Sequence, residues 1–114
     1  MKGSLLSLLG LARKAQVLII GKDGVKSYLL SGKRALVLFP EDCAGEAGAL
    51  VSDSFERKGS VFRVLHGIDR FTLSTSIGTR NTHVVAVPMH GGFAQRMMRL
   101  LPEGGIEFEQ DTSL

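Results

Sequence analysis

Residues 18–34 have the sequence LIIGKDGVKSYLLSGKR, in which an apolar run, a glycine and an amphipathic segment follow one another. The apolar run over 17–20 predicts a short buried strand, and Gly21 ends it. A helix is predicted over 22–31, because apolar side chains recur there at three- and four-residue spacing. These side chains are Val25, Tyr28 and Leu29. Gly32 ends the helix, since glycine enters the left-handed conformation at low cost.

The junction between this strand and this helix has the features of an anion site. Asp23 is suited to the N-cap or the first turn, where its carboxylate can accept backbone amides. Lys22 and Lys26 lie beside the turn, and Lys33 and Arg34 follow the helix. Amides that open at a helix N-terminus bind anions, and lysines strengthen that preference. An ordinary strand-to-helix connection with lysines facing solvent is the alternative that the residues leave open.

The rest of the chain repeats the alternation of helix and strand. Helices are predicted over 4–15, 22–31, 46–58, 69–77 and 93–101, and strands over 17–20, 35–39, 61–65 and 83–87. This order predicts helices on both faces of a mostly parallel or mixed sheet. The continuous apolar run 35–39 predicts a strand that is covered on both faces. We expect one domain over 1–102 and a loosely ordered tail over 103–114.

The charge of the chain is unevenly distributed. Its 114 residues carry a formal net charge of +3, and the sequence pI is about 9.4. Residues 1–34 hold seven of the 14 Lys and Arg and a single acid, whereas residues 103–114 hold four acids and no base. A basic first third favours a polyanionic partner. A merely solvated basic surface is the alternative.

Several classes of protein are disfavoured by what the sequence lacks. Cys43 is the single cysteine, so we expect no disulfide and no thiolate metal site, as is usual for a protein of the reducing cytoplasm. The three histidines lack the spacing of metal ligands; they are His66, His83 and His90. No apolar run approaches the roughly 20 residues of a membrane span. We therefore predict a cytoplasmic protein with no metal, no cofactor and no membrane partner.

Two motifs of known enzymes are approached but not completed. A phosphate-binding Walker loop has four residues between its first glycine and an adjacent Gly-Lys pair; here two residues separate Gly21 from Gly24, and Val25 intervenes before the lysine. The His90-Gly91-Gly92 segment resembles an oxyanion loop, but no Gly-x-Ser-x-Gly segment supplies the nucleophile. We predict no catalytic residue and a non-enzymatic function.

Seven short segments together resemble a known family. They are LLGLARKA at 8–15, IGKD at 20–23, GKRALVL at 32–38, EDCA at 41–44, SIG at 76–78, VVAV at 84–87 and GFA at 92–94. In this order and spacing they are similar to the L-seven-Ae / L-thirty-e / S-twelve-e ribosomal-protein family, and most of all to its small bacterial members. The resemblance covers about residues 5–101.

The resemblance implies both a fold and a partner. The fold is a three-layer α/β/α sandwich with a central four-stranded mixed sheet. The partner is structured RNA of the kink-turn type rather than DNA, in the setting of the ribosome, with a ribosomal or adaptor protein as a second kind of partner. In the family, the segment that matches 21–27 enters the RNA groove at tandem sheared G·A pairs, and the loop that matches 88–92 covers an extruded base. Because both segments follow predicted strands, we expect them at one edge of the sheet.

Fourteen residues are the expected RNA contacts. The groove contacts are Gly21, Lys22, Asp23, Gly24, Lys26 and Ser27, the phosphate contacts are Arg13, Lys14, Lys33 and Arg34, and the base-covering loop is Pro88, Met89, His90 and Gly91. The archaeal-type motif has Asn, Glu and Lys where this chain has Asp23, Gly24 and Ser27. Two other hypotheses remain: a protein-binding adaptor on the same fold, and an enzyme that binds a phosphate or small molecule at the 21–27 turn.

Overall fold

The computed structural model of the protein describes residues 2–49, 55 and 58–101. The helices are α1 (Lys2–Lys14), α2 (Lys22–Leu30), α3 (Arg70–Ile77) and α4 (Gly92–Leu100), and a 3-10 helix spans Glu41–Ala49. The strands are β1 (Ile19–Ile20), β2 (Ala35–Pro40), β3 (Val61–Leu65) and β4 (Val85–Pro88). The predicted alternation of helix and strand is confirmed over these residues.

The four strands form one mixed sheet in the order β1-β4-β2-β3. β4 pairs antiparallel with both β1 and β2, whereas β2 and β3 are parallel. Ile20 lies opposite Val85, and Ala35 lies opposite Pro88. The carboxyl ends of β1, β2 and β3 therefore share an edge of the sheet with the amino end of β4. We call this edge the α2 edge, and the other, at the carboxyl end of β4, the Pro88 edge.

Helices cover the sheet on both faces, as the continuous apolar run of β2 predicts. All six residues of β2 are buried. Leu36 and Leu38 pack with residues of α1, α3 and α4, whereas Val37 and Phe39 pack on the opposite face with residues of α2 and with Phe55. Burying each such side chain contributes about 1.5–3 kcal/mol relative to leaving it exposed. The result is a three-layer α/β/α sandwich.

β1 differs from the strand that its sequence predicts. The run over 17–20 was expected to form a buried strand, but the residues that pair are Ile19 and Ile20, and all four residues of the run are half-buried. β1 lies at the end of the strand order with a single neighbour, β4. Apolar composition predicts a strand, but it does not distinguish an edge strand from a central one.

The predicted third helix also differs in the part that is described. The 3-10 helix begins at Glu41, five residues before the start predicted for the 46–58 helix. Phe55 is helical and half-buried, while 50–54, 56 and 57 lie outside the described residues, as does the predicted tail over 103–114. No helix among residues 2–49 and 58–101 is long and apolar enough to cross a membrane.

Candidate functional site

The N-terminus of α2 is fixed by its backbone and is not capped by a side chain. Gly21 is the N-cap residue, with φ 92° and ψ 155°, and it makes no side-chain capping hydrogen bond. This conformation is essentially restricted to glycine. The Gly21 amide donates to the carbonyl oxygen of Val84 at 2.9 Å, which ties the turn to the start of β4. Asp23 lies in the first turn of the helix and not at the cap position.

Exposed cations surround this N-terminus. Lys22 and Lys26 are both exposed, and a four-residue spacing places them on one side of the helix. Gly24 and Ser27 are exposed as well. The helix dipole adds partial positive charge at this end. The turn therefore combines oriented amides with two mobile cations, which is an arrangement that attracts phosphate.

A polar loop over 79–84 lies directly beside the α2 N-terminus. Ser74 of α3 holds the loop: its carbonyl oxygen accepts from the Thr79 amide at 2.8 Å, and its hydroxyl accepts from the Thr82 amide at 2.8 Å. The hydroxyls of Thr79 and Thr82 are 2.6 Å apart. Because Val84 ends the loop and binds Gly21, the loop and the turn form one surface.

The sequence predicted a strand from residue 83, whereas β4 begins at Val85, and none of the residues 79–84 was among the predicted RNA contacts. The loop carries Arg80 and Asn81, both exposed, and the half-buried His83. His83 Nε2 lies 3.2 Å from Asn81 Oδ1 and 3.4 Å from the Arg70 guanidinium. The sequence feature that could have identified this loop as part of the site is a run of four hydrogen-bonding side chains, Arg80-Asn81-Thr82-His83, before an apolar strand.

The Pro88–Gly91 segment lies at the opposite edge of the sheet from the α2 N-terminus. Because β1 and β4 are antiparallel, the chain leaves β1 at the α2 edge and leaves β4 at the Pro88 edge. The Met89 amide donates to the Arg34 carbonyl oxygen at 3.0 Å, so Lys33 and Arg34 belong to the Pro88 edge. The expectation that the two predicted RNA-contacting segments meet at one edge is therefore wrong.

Side chains at the Pro88 edge have structural contacts of their own. Met89 is half-buried and packs against the cluster that α1, α3 and α4 form with the sheet. The Lys33 ammonium lies 5.3 Å from the centroid of the Tyr28 ring, which is a cation–π distance. The Arg34 stem runs so close over Gly59 that a Cβ there would lie 2.6 Å from Arg34 Cδ. His90 is exposed and Gly91 is half-buried.

The last two predicted phosphate contacts lie in a groove between two helices. Arg13 and Lys14 line a groove of about 700 Å³ between α1 and α3, together with Leu11 and Thr75. Arg13 Nη1 donates to the Ile77 carbonyl oxygen at 3.4 Å, at the C-terminus of α3. The predicted site residues thus fall into three groups: one at the α2 edge, one at the Pro88 edge and one in this groove.

Three carboxylates, Glu41, Asp42 and Asp69, hold loops by accepting backbone amides. Glu41 accepts from the Gly67 amide at 2.7 Å, and Asp42 accepts from the Arg70 amide at 2.9 Å and lies 3.7 Å from its guanidinium. Asp69 caps α3 by accepting the Thr72 amide at 2.8 Å, and this bond lowers the pKa of Asp69. Among the described residues, no three His, Cys, Asp or Glu side chains are grouped so as to hold a metal ion.

Neither protein-family models nor curated protein sequences match this chain. Solved structures do match it, among them the following two. A protein of unknown function from Bacillus halodurans is 27% identical with a TM-score of 0.73, and the match covers 87% of this chain and 97% of that chain. A 15.5 kD RNA-binding protein of Giardia lamblia is 18% identical with a TM-score of 0.65, covering 84% of this chain and 80% of that chain. The chain shares its fold with both.

Proposed function

We propose that this chain is a non-enzymatic RNA-binding protein that recognises structured, kink-turn-like RNA, in association with the ribosome in the cytoplasm. The observation that carries the proposal is the α2 edge, where an N-terminus without a side-chain cap, flanked by Lys22 and Lys26, is tied to the loop over 79–84. The fold that the chain shares with the Giardia lamblia RNA-binding protein supports it.

The two parts of the α2 edge suit different parts of an RNA. Lys22 and Lys26 and the first amides of α2 attract phosphate without regard to sequence. Arg80, Asn81 and His83 offer donors and acceptors that can bond base edges. Such edges are accessible where RNA is unpaired or bent, and not in the deep groove of a regular duplex. The pairing of a phosphate-binding turn with a polar loop therefore favours an RNA with an internal loop.

We propose that the Pro88 edge contacts the same RNA farther along its course. The strand residues 85–88 separate the two edges by about 10 Å, at roughly 3.3 Å per residue. A bent RNA can therefore reach both Lys22 and the pair Lys33 and Arg34. In this arrangement, the cations of the Pro88 edge contribute to affinity, and the α2 edge provides the base contacts.

Substitutions toward the archaeal-type motif test the α2 edge. Asp23→Asn replaces a charge that repels phosphate with an amide that both donates and accepts, so we expect a gain of roughly 1 kcal/mol for a standard kink-turn if one base contact forms. Ser27→Lys should add a smaller gain that is lost at high salt. Gly24→Glu is also compatible with the turn, since a Cβ there lies 3.4 Å from Ile19 Cγ2.

The measurement is a gel shift against a kink-turn and against the same RNA with its G·A pairs replaced. Ser31→Lys is the matched control, because it adds the same charge at the opposite end of α2, beside the cations of the Pro88 edge, so that any gain it gives should be equal for the two RNAs. Gains confined to the intact kink-turn and to the α2 N-terminus support the proposal. If the parent and all variants fail to bind either RNA at low salt, the proposal is wrong, and capture of a protein partner after RNase treatment would favour the adaptor hypothesis.

A further inference from the structure

Phe71 is a large apolar side chain that the fold leaves in solvent. It is 75% exposed, more than any other large apolar side chain among the described residues. It lies in the first turn of α3, and the residues that this helix buries are Leu73, Ser74 and Ile77. The core therefore does not account for an aromatic residue at this position. A contact with another molecule would.

The position of Phe71 is set by the same loop that completes the α2 edge. Residues three apart on a helix are neighbours on its surface, so Phe71 lies one turn before Ser74. Ser74 accepts the amides of Thr79 and Thr82, and the guanidinium of Arg70 lies 3.4 Å from His83 Nε2. The first turn of α3, which carries Phe71, therefore lies beside the loop over 79–84, and through Val84 the loop reaches the α2 N-terminus.

Polar and cationic groups surround Phe71. The guanidinium of the preceding residue, Arg70, lies 3.4 Å from His83 Nε2, and its side chain is half-exposed. Arg80 is exposed in the adjacent loop. The carboxylates of Asp69 and Asp42 already bind groups of the protein, because Asp69 caps α3 and Asp42 pairs with Arg70. An isolated aromatic ring among cations is complementary to an unpaired base and its phosphate, and not to an extended apolar surface.

We propose that Phe71 stacks on an unpaired nucleobase of the RNA that binds across the α2 N-terminus and the loop over 79–84. This inference rests on the proposed function and adds a contact on α3. Stacking tolerates any base, since every base has a π-face. The RNA must therefore place an unpaired nucleotide next to the stretch that Lys22 and Lys26 bind.

Fluorescence can report this contact directly, because the chain contains no tryptophan. Phe71→Trp introduces a single indole at an exposed position, where it does not disturb the core. The probes are an RNA hairpin with an internal loop of unpaired purines, the same stem fully paired, and heparin, which is a polyanion without bases. We expect the looped hairpin to quench the indole, and the paired stem and heparin to leave its emission unchanged when bound.

Affinity provides the second measurement. Phe71→Ala should weaken binding of the looped hairpin about five- to hundredfold, the range that loss of one stacked base represents, and should leave binding of the paired stem unchanged. Phe71→Tyr and Phe71→Trp should keep the parent affinity. Leu30→Ala is the matched control, since Leu30 is an apolar side chain 65% exposed at the far end of α2. Thermal melting should show parent stability for all variants.

The outcomes separate this inference from the proposed function. If the parent binds the looped hairpin but Phe71→Ala binds equally well and the indole is not quenched, the role of Phe71 is overturned and RNA binding stands. If Phe71→Ala weakens the looped hairpin and the paired stem equally, Phe71 does not contact an unpaired base and the inference is again overturned. If the parent binds neither RNA, the proposed function itself is overturned.

Discussion

The contribution of positive charge to RNA binding is best tested at Lys22 and Lys26. Both are exposed on one side of α2 beside its N-terminus. Changing either to Ala should weaken RNA binding. Each lost phosphate contact should also reduce the slope of log affinity against log salt by roughly 0.7–0.9. The measurement is a salt titration of binding for the parent and for each variant.

Arg99→Ala is the control for this pair. Arg99 is an exposed cation in the last turn of α4, which packs on the other face of the sheet from α2. Its loss removes the same charge away from the α2 N-terminus and from the cations of the Pro88 edge. We expect the slope to stay near the parent value. Parent-like slopes for both Lys22→Ala and Lys26→Ala would place the RNA surface elsewhere on the protein.

Met89 packs against the core in the structure, whereas the sequence predicted that it contacts an RNA base. The family resemblance assigns it to a base-covering loop, whereas in the structure it is half-buried against the core. Truncating a fully buried methionine to alanine lowers the free energy of unfolding by about 2–5 kcal/mol. Because Met89 is only half-buried, Met89→Ala should lower it by about 1–2 kcal/mol. RNA affinity should fall equally for looped and paired RNA. A loss confined to looped RNA would instead indicate a base contact by Met89.

At the scale of the element, Asp69 is the N-cap residue of α3. Asp69 accepts the Thr72 amide, and this hydrogen bond holds its pKa below the usual value in the folded protein. Ionised Asp69 therefore stabilises the fold fully above about pH 4, the range of an unfolded aspartate. This contribution is lost as the pH falls through the lower, folded-state pKa.

Asp69→Ala should accordingly lower the melting temperature at neutral pH, and the difference from the parent should shrink as the pH falls below about 4. Asp69→Asn keeps an oxygen that can cap the helix but has no charge to lose. Its melting temperature should fall between the other two at neutral pH. Thermal melts across the acid range measure all three. A difference between parent and Asp69→Ala that is constant with pH would contradict this assignment.

At the scale of the molecule, the hydrophobic pattern correctly predicted the features that depend on local sequence, which are the burial of strands and the packed sides of helices. The apolar run at 35–39 predicted a strand covered on both faces, and β2 is buried along its whole length. The apolar stripe on the second helix predicted which side of α2 packs, and Val25 and Leu29 are buried there. Gly32, predicted to end that helix, follows its C-cap residue with φ 90°.

What the sequence did not predict depends on which strands become neighbours. The order of β1, β4 and β2 in the sheet arises from contacts between residues far apart in the chain, such as Ile19 with Ala86 and Leu38 with Val85. Those contacts make β4 antiparallel to its neighbours, and so they separate Gly21 from Pro88. They also place the loop over 79–84 beside Gly21. No local pattern in either segment carries that information.

The effect of the acidic segment over 103–114 on RNA affinity can be tested through the net charge of the chain. Its four carboxylates reduce the formal charge of residues 1–102 from +7 to the +3 of the whole chain. Replacing Glu103, Glu107 and Glu109 with Gln and Asp111 with Asn should strengthen RNA binding at low salt. The gain should fade toward 1 M salt, where screening acts over about 3 Å. Equal affinities at every salt concentration would mean that these acids act too far from the RNA to matter.

The strand order also has a consequence for the time at which the fold can form. β4 lies between β1 and β2, yet it is the last of the described strands to leave the ribosome. Until Val85–Pro88 has been synthesised, β1 has no partner among the described strands, and β2 is paired on one side by β3. Nascent chains that stop before residue 85 should therefore stay sensitive to protease, and chains that extend through α4 should become resistant in one step.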